Sequence, residues 1–183
     1  LAERMGKFAG QLMNGRVVEI KMTYAGAMTK YKVTPITMAL AYGTLYPILG
    51  DTVNMINALD VARERGIDVQ AVQSNKDEEF VNLIRVEIKT DKEVLAVWGT
   101  LAANNQPRIV KVNDVYVEAI PKGAMIFINN NDKPGIVGAL GTILAQDKIN
   151  IASITLGREA AGGRAISVVN VDGEVADETI EKI

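Results

Sequence analysis

Apolar positions recur at helical spacing from Leu1 to Met13, and the dipeptide Asn14-Gly15 ends that run with turn or cap chemistry. Val18, Ile20, Met22 and Tyr24 then alternate with Glu19, Lys21 and Thr23, the two-residue period of a half-buried strand. From Thr34-Pro35 to about Ile48 the pattern is that of a buried helix, with Pro35 acceptable in its first turn. A second helix is predicted over Asn54–Arg65, stopped by Gly66. Strands follow at Asp68–Val72, Val81–Thr90 and Glu93–Leu101. An acidic loop, Asn75–Glu79, separates the first two, and a polar turn, Ala102–Pro107, follows the third. Arg108–Val112 and Val115–Ile120 are expected to form a hairpin across Asn113-Asp114.

Pro121-Lys122-Gly123 marks the expected domain boundary, beyond which the pattern becomes compact and regular. Met125–Asn130 is an apolar strand. Pro134–Gln146 is a helix with Ile136, Val137, Leu140, Ile143 and Leu144 on one face. Asn150–Leu156 and Arg164–Val171 are strands joined through the turn residues Ala161-Gly162-Gly163, and Glu174–Ile183 begins a second helix. The fold class is therefore α+β. A mixed-sheet α/β domain over residues 1–122 precedes a ferredoxin-like βαββα(β) domain over residues 123–183 that lacks its last strand.

Composition narrows the chemistry more than the charge does. The 183 residues include no cysteine and no histidine, which removes disulfides, thiol nucleophiles, Cys/His metal sites and Ser-His or Cys-His dyads. No catalytic residue and no metal ligand set is assigned. With 20 basic and 22 acidic side chains the net charge is −2, so the basic excess that nucleic-acid binding needs is missing. The longest apolar stretch, Ile36–Leu49, is interrupted by Thr37, Gly43, Thr44 and Pro47 and falls short of the roughly 20 residues of a membrane span. A start at Leu1, inside a helical pattern and with no signal segment, leads to the expectation of a cytoplasmic piece of a longer protein.

No glycine-rich phosphate loop is present. Gly135, Gly138 and Gly141 fall at spacings of three in one helix, which reads as close packing against a sheet or a partner helix. The stretch Asn129-Asn130-Asn131-Asp132-Lys133-Pro134-Gly135 joins a strand to that helix and supports two readings. Asp132 is the N-cap, with Pro134 in the first turn. Alternatively, the helix N-terminus is a receptor for a carboxylate and Asp132 for an ammonium, which together match both ends of a free amino acid. Asn150, at the start of the next strand, would add an amide contact. Arg108, Lys111 and Lys122 converge on an anion such as a phosphorylated metabolite if hairpin and linker fold together; otherwise they are solvated strand edges.

The stretch from Met125 through the Asn129–Gly135 corner to Ile149-Asn150-Ile151-Ala152 resembles an ACT domain, an amino-acid-sensing regulatory module. Leu156-Gly-Arg-Glu-Ala-Ala-Gly-Gly-Arg-Ala165 resembles the version found at the C-terminus of the D-3-phosphoglycerate dehydrogenase family. Upstream, the runs from Pro47 to Ala58 and from Ala62 to Gly66, with Gly99-Thr-Leu101 and Pro107-Arg-Ile-Val110, resemble the intervening domain of the long-form enzyme. The resemblance implies a regulatory region without dehydrogenase activity of its own, NAD being the cofactor of a catalytic part not present here. It implies that L-serine, or a related small amino acid, binds between paired ACT domains. Asp132 would take the ammonium, with Asn130 beside it, the backbone at Gly135 and Ile136 the carboxylate, and Asn150 would reach across from a neighbouring subunit. Arg108 matches a basic position of the intervening domain, where some relatives bind phosphate or phosphorylated substrate; Ile120 stands at another such position, with Lys122 close by. A ligand-independent oligomerisation module is the rival reading.

Overall fold

A computed structural model describes residues 1–74 and 80–183; the predicted acidic loop Asn75–Glu79 lies outside the described residues. The chain packs as two units, Leu1–Asn113 and Asp114–Ile183.

The first unit contains α1 (Ala2–Gln11), β1 (Val17–Gly26), α2 (Thr34–Leu49), α3 (Ala58–Glu64), β2 (Asp68–Ser74), β3 (Asn82–Thr90), β4 (Val94–Ala102) and β5 (Gln106–Val112). Its strands lie in the order β2-β1-β3-β4-β5, with β1 and β2 parallel and the remaining pairs antiparallel. The crossover from β1 to its parallel neighbour runs through α2 and α3, as a parallel connection requires. Ile20, Met22 and Tyr24 of β1 line one sheet face with Val86, Ile88, Val97 and Ile109, and all are buried there with Met5, Leu40 and Leu45 of the helices. The period-two pattern of β1 thus sends its apolar set to the helical side. Burial holds the Tyr24 phenol above its ordinary pKa, and its hydroxyl shares a 2.8 Å hydrogen bond with Thr37 of α2.

Helix α1 crosses α2 on glycines. A side chain at Gly6, Gly10 or Gly43 would run into the backbone of the facing helix, at Leu40, Thr44 and Glu3 respectively. The helix expected over Asn54–Arg65 is shorter, because Asn54 and Asn57 turn the chain back on itself. Asn54 Oδ1 accepts from the backbone N–H groups of Ile56 (2.9 Å) and Asn57 (3.0 Å), while Asn57 Oδ1 accepts from that of Asn54 (2.7 Å). Side chains that bond the backbone locally compete with the helix, and α3 starts only at Ala58.

The second unit contains β6 (Val115–Ala119), β7 (Ala124–Asn131), α4 (Ile136–Gln146), β8 (Ile151–Arg158), β9 (Arg164–Val171) and α5 (Asp177–Glu181). Strand β9 lies between β7 and β8, antiparallel to both. Strand β6 packs on β8 and β9 within the second unit. Asn170 of β9 fixes the following segment, its Nδ2 donating to the carbonyls of Ile120 (3.0 Å) and Lys122 (2.8 Å). Leu140 and Leu144 of α4 close a core with Ile126, Val169 and Val171. Val137, expected on that buried face, is exposed, and added side chains at Gly138 and Gly141 would meet nothing within 4 Å. The glycine spacing therefore does not serve packing on the sheet. Helix α5 is only five residues long, Ala176 before it being extended.

Candidate functional site

The loop between β7 and α4 is built by hydrogen bonds to the β8–β9 hairpin. Asp132 donates from its backbone N–H to the Gly163 carbonyl (2.8 Å), and its Oδ2 accepts from Arg158 Nη1 (2.7 Å) and from the Gly162 N–H (3.3 Å). Asp132 is thus not the N-cap. That position falls to Gly135 at φ 97°, a left-handed conformation suited to glycine, and no side chain caps the helix. Among the described residues no side chain caps the first-turn N–H groups that follow. The Arg158 guanidinium, and after it the Gly162 N–H, hold the Asp132 carboxyl below the usual carboxylate range, so it stays charged.

Register places two further groups beside this corner. Ile128 pairs with Ser167 and Asn130 with Ala165, so Asn130 and Ser167 sit diagonally on the sheet face that α4 covers. Both carry a buried oxygen, Asn130 Oδ1 and Ser167 Oγ, with no hydrogen-bond partner among the described residues. Asn130 uses its amide nitrogen on the Asn131 carbonyl (2.8 Å). Unpartnered buried acceptors next to an uncapped helix start suit a ligand that brings N–H or O–H donors on one side and a carboxylate on the other.

Asn150 is not part of this corner within one chain. It leads into the end of β8 that pairs with Val171, whereas Asp132 follows the end of β7 that pairs with Arg164, seven strand residues away or roughly 20 Å. Its amide donates to Asp172 Oδ2 at 2.7 Å.

The three expected anion-binding residues are divided between the units. A β-bulge between Trp98 and Gly99 lets Arg108, opposite Thr100, and Lys111, opposite Trp98, share one sheet face. The Arg108 guanidinium donates to Gln106 Oε1 and to the Pro107 carbonyl, each at 3.0 Å, and Lys111 Nζ lies 5.0 Å from the centre of the Trp98 ring. Lys122 is exposed in the second unit.

Pattern reading missed Arg158 and Ser167. Arg158 belongs to an exposed glycine-rich hairpin, and its pairing spans 26 residues. Ser167, like Asn170, carried a signal, as a small polar residue inside the apolar run Ile166–Val171.

No helix among the described residues is long and apolar enough to cross a membrane. Residues 1–113 match the D-3-phosphoglycerate dehydrogenase intervening domain, and residues 124–183 match the ACT domain. The whole chain aligns with D-3-phosphoglycerate dehydrogenase of Methanocaldococcus jannaschii at 35% identity, covering 34% of that protein. It aligns with the enzymes of Bacillus subtilis and Archaeoglobus fulgidus at 32% each, covering 35% of either. The chain spans about a third of the length of these relatives, and no catalytic domain is present in it. A mixed-sheet unit matching the one family, followed by an antiparallel α+β unit matching the other, identifies the chain as a member of the D-3-phosphoglycerate dehydrogenase intervening-domain family that also carries an ACT domain.

Proposed function

We propose that this chain is the amino-acid-sensing regulatory region of a cytoplasmic, NAD-dependent D-3-phosphoglycerate dehydrogenase, with L-serine or a related small amino acid as its feedback effector. The observation that carries this reading is the β7–α4 corner, where a charged Asp132 carboxylate stands three residues before an uncapped helix start. Asp132 takes the ligand's ammonium, and the backbone N–H groups at Gly135 and Ile136 take its carboxylate at the positive end of the helix. Asn130, with Ser167 beyond it, offers acceptors to the ligand's remaining donors. Asn150 lies at the far end of the sheet and so enters from a second copy, which makes self-association part of the site. Effector binding then acts on a catalytic domain through its different affinity for two domain arrangements. Arg108 and Lys111, on one sheet face of the first unit, form a separate candidate for a phosphorylated metabolite.

Calorimetric titration of the chain with L-serine, D-serine and glycine tests this. Saturable, stereoselective heat with L-serine, at one site per chain or one per pair, is expected. Equal or absent heats for L- and D-serine on folded, self-associated protein overturn the sensor reading.

The second reading, a ligand-independent oligomerisation module, is favoured by the side chains of β8. Ile154 and Leu156 are 40% and 46% exposed on a terminal strand of the three-stranded sheet. Under that reading sedimentation shows a dimer whose stability no amino acid changes.

A further inference from the structure

We propose that Asn14 is a self-modification site, losing its side-chain amide by cyclisation onto the Gly15 peptide nitrogen in a turn whose hydrogen bonds favour that reaction. Asn14 is the only asparagine of the chain followed by glycine. With no Cβ on Gly15, the nitrogen that must attack is unshielded. After other asparagines a side chain stands beside that nitrogen, as in Asn113-Asp114, Asn131-Asp132 and Asn150-Ile151.

The turn leads from α1 to β1 and is docked on residues 91–93, between β3 and β4. The Asn14 N–H donates to Glu93 Oε1 (2.6 Å), the Arg16 N–H to Asp91 Oδ1 (2.8 Å) and the Asp91 N–H to the Arg16 carbonyl (3.0 Å). Between these ties the reacting groups are left unbound. Asn14 and Gly15 are exposed, and neither the Asn14 side-chain amide nor the Gly15 N–H makes a hydrogen bond among the described residues.

The decisive contact falls on the peptide group that joins the two residues. Its carbonyl oxygen, that of Asn14, accepts from the Thr90 hydroxyl at 2.7 Å, and Thr90 is only 4% exposed. The same hydroxyl accepts from the N–H groups of Lys92 (3.2 Å) and Glu93 (3.0 Å), which strengthens it as a donor. Its alternative acceptor, the Glu93 carbonyl, is farther away at 3.2 Å. When hydroxide takes the Gly15 proton, the negative charge spreads onto the Asn14 carbonyl oxygen, where Thr90 meets it with a charge-assisted hydrogen bond. The Gly15 nitrogen then bonds to Asn14 Cγ and the Cγ–Nδ2 bond breaks. The leaving nitrogen takes a proton from water and departs as ammonia, which regenerates hydroxide. Water opens the five-membered imide at either carbonyl, giving aspartate or, with one more carbon in the backbone, isoaspartate. Both products set a new carboxylate beside Asp91 and Glu93, and the longer backbone of the second shifts Arg16 out of reach of Asp91. Conversion therefore releases the α1–β1 turn from the β3–β4 turn. The site lies within the first unit, and its failure leaves the proposed sensing function untouched.

The experiment incubates the full chain, folded, at neutral and at mildly alkaline pH and maps tryptic peptides by mass spectrometry. The peptide from Phe8 to Arg16 should gain the mass of NH exchanged for O at Asn14, as a mixture of aspartate and isoaspartate, faster at the higher pH and with equimolar ammonia. Asn14→Gln, which would need a six-membered ring, should abolish it. Thr90→Val should slow conversion about tenfold, the worth of a hydrogen bond to a charged group, and Thr90→Ser should restore it. A hydroxyl that merely braced the turn would give the opposite sign, since a loosened turn cyclises more readily. Circular dichroism verifies folding. If Thr90→Val does not fold, the parent chain decides by itself: it should convert at least as fast folded as in urea. No conversion at Asn14, slower conversion folded than in urea, or a rate in folded Thr90→Val equal to or above the parent's overturns the proposal.

Discussion

Arg158 donates to Asp132 across 26 residues of sequence, at 2.7 Å, and so ties the end of β8 to the loop that enters α4. The contact links two stretches that resemble the same family for separate reasons, the Asn129–Gly135 corner and the glycine-rich hairpin after Leu156. It also fills part of the seat proposed for a ligand's ammonium. Asp132 Oδ2 is engaged by Arg158 and Gly162, so an incoming cation either shares the carboxylate with the guanidinium or displaces it.

Competition has a measurable sign. The Arg158 side chain is about half exposed, so solvent screens its ion pair with Asp132 and an incoming cation can displace it. Arg158→Gln is therefore expected to tighten amino-acid binding about two- to fivefold. Asp132→Ala removes a charge-assisted hydrogen bond to the ammonium and should weaken binding at least about tenfold. Titration calorimetry on both variants checks this; weaker binding in Arg158→Gln would make the guanidinium a ligand contact instead of a competitor.

Acid should loosen the second unit at two places. Asp147 accepts from Thr179 Oγ1 at 2.6 Å and from Lys182 Nζ at 2.9 Å, docking α5 against the end of α4. Those two contacts, Thr179 first, hold its carboxyl below its ordinary pKa of 3.8, and Arg158 does the same for Asp132. A depressed folded-state pKa gives stability that is present above the unfolded value and lost as pH falls through the folded one. The tie is thus complete at pH 7 and disappears as pH drops below 3.8. Amide exchange in α5 is expected to accelerate over that window, and Asp147→Asn should reproduce the loosening at pH 7.

The α1–α2 crossing gives a steric prediction. Gly43→Ala presses a methyl group into the Glu3 backbone, and neither helix can yield without moving the other. Overpacking of this kind costs about 1–3 kcal/mol, with backbone contacts at the upper end. Chemical denaturation should show that loss for Gly43→Ala, and a similar one for Gly10→Ala, which meets the Thr44 carbonyl.

How much of this was legible in the sequence follows from the range of each signal. Strand β1 and helix α2 were readable because burial imposes a local period, as the alternation from Val18 to Tyr24 shows. The start of α3 was not, because Asn54 and Asn57 spend their amides on the backbone and no count of apolar spacing registers that. Asp132 in front of Pro134 carries the sequence signature of a cap, but Gly135 takes the position and the Arg158 partner is remote in the chain. The shared face of Arg108 and Lys111 depends on a bulge that strand alternation does not encode. Local side-chain bonds set the start of α3, while strand pairing remote in the chain decided the other two sites.

Gly138 and Gly141 provide the last prediction, because they separate stability from assembly. Each occupies the interior of α4, where glycine costs about 1 kcal/mol relative to alanine, and added methyl groups would meet nothing within 4 Å in the single chain. Gly138→Ala and Gly141→Ala should therefore each raise the unfolding free energy of the monomeric chain by about 0.5–1 kcal/mol. Nothing among the described residues explains why a helix should keep both glycines at that cost. A second copy approaching this face would, since close helix contact tolerates no side chain there, and exposed Val137 lies on the same helix. The two substitutions should then weaken self-association while they stabilise the monomer, so that denaturation at low concentration and sedimentation at high concentration move in opposite directions. Movement in the same direction would place the interface elsewhere, with the exposed Ile154 and Leu156 of β8 as the next surface to substitute.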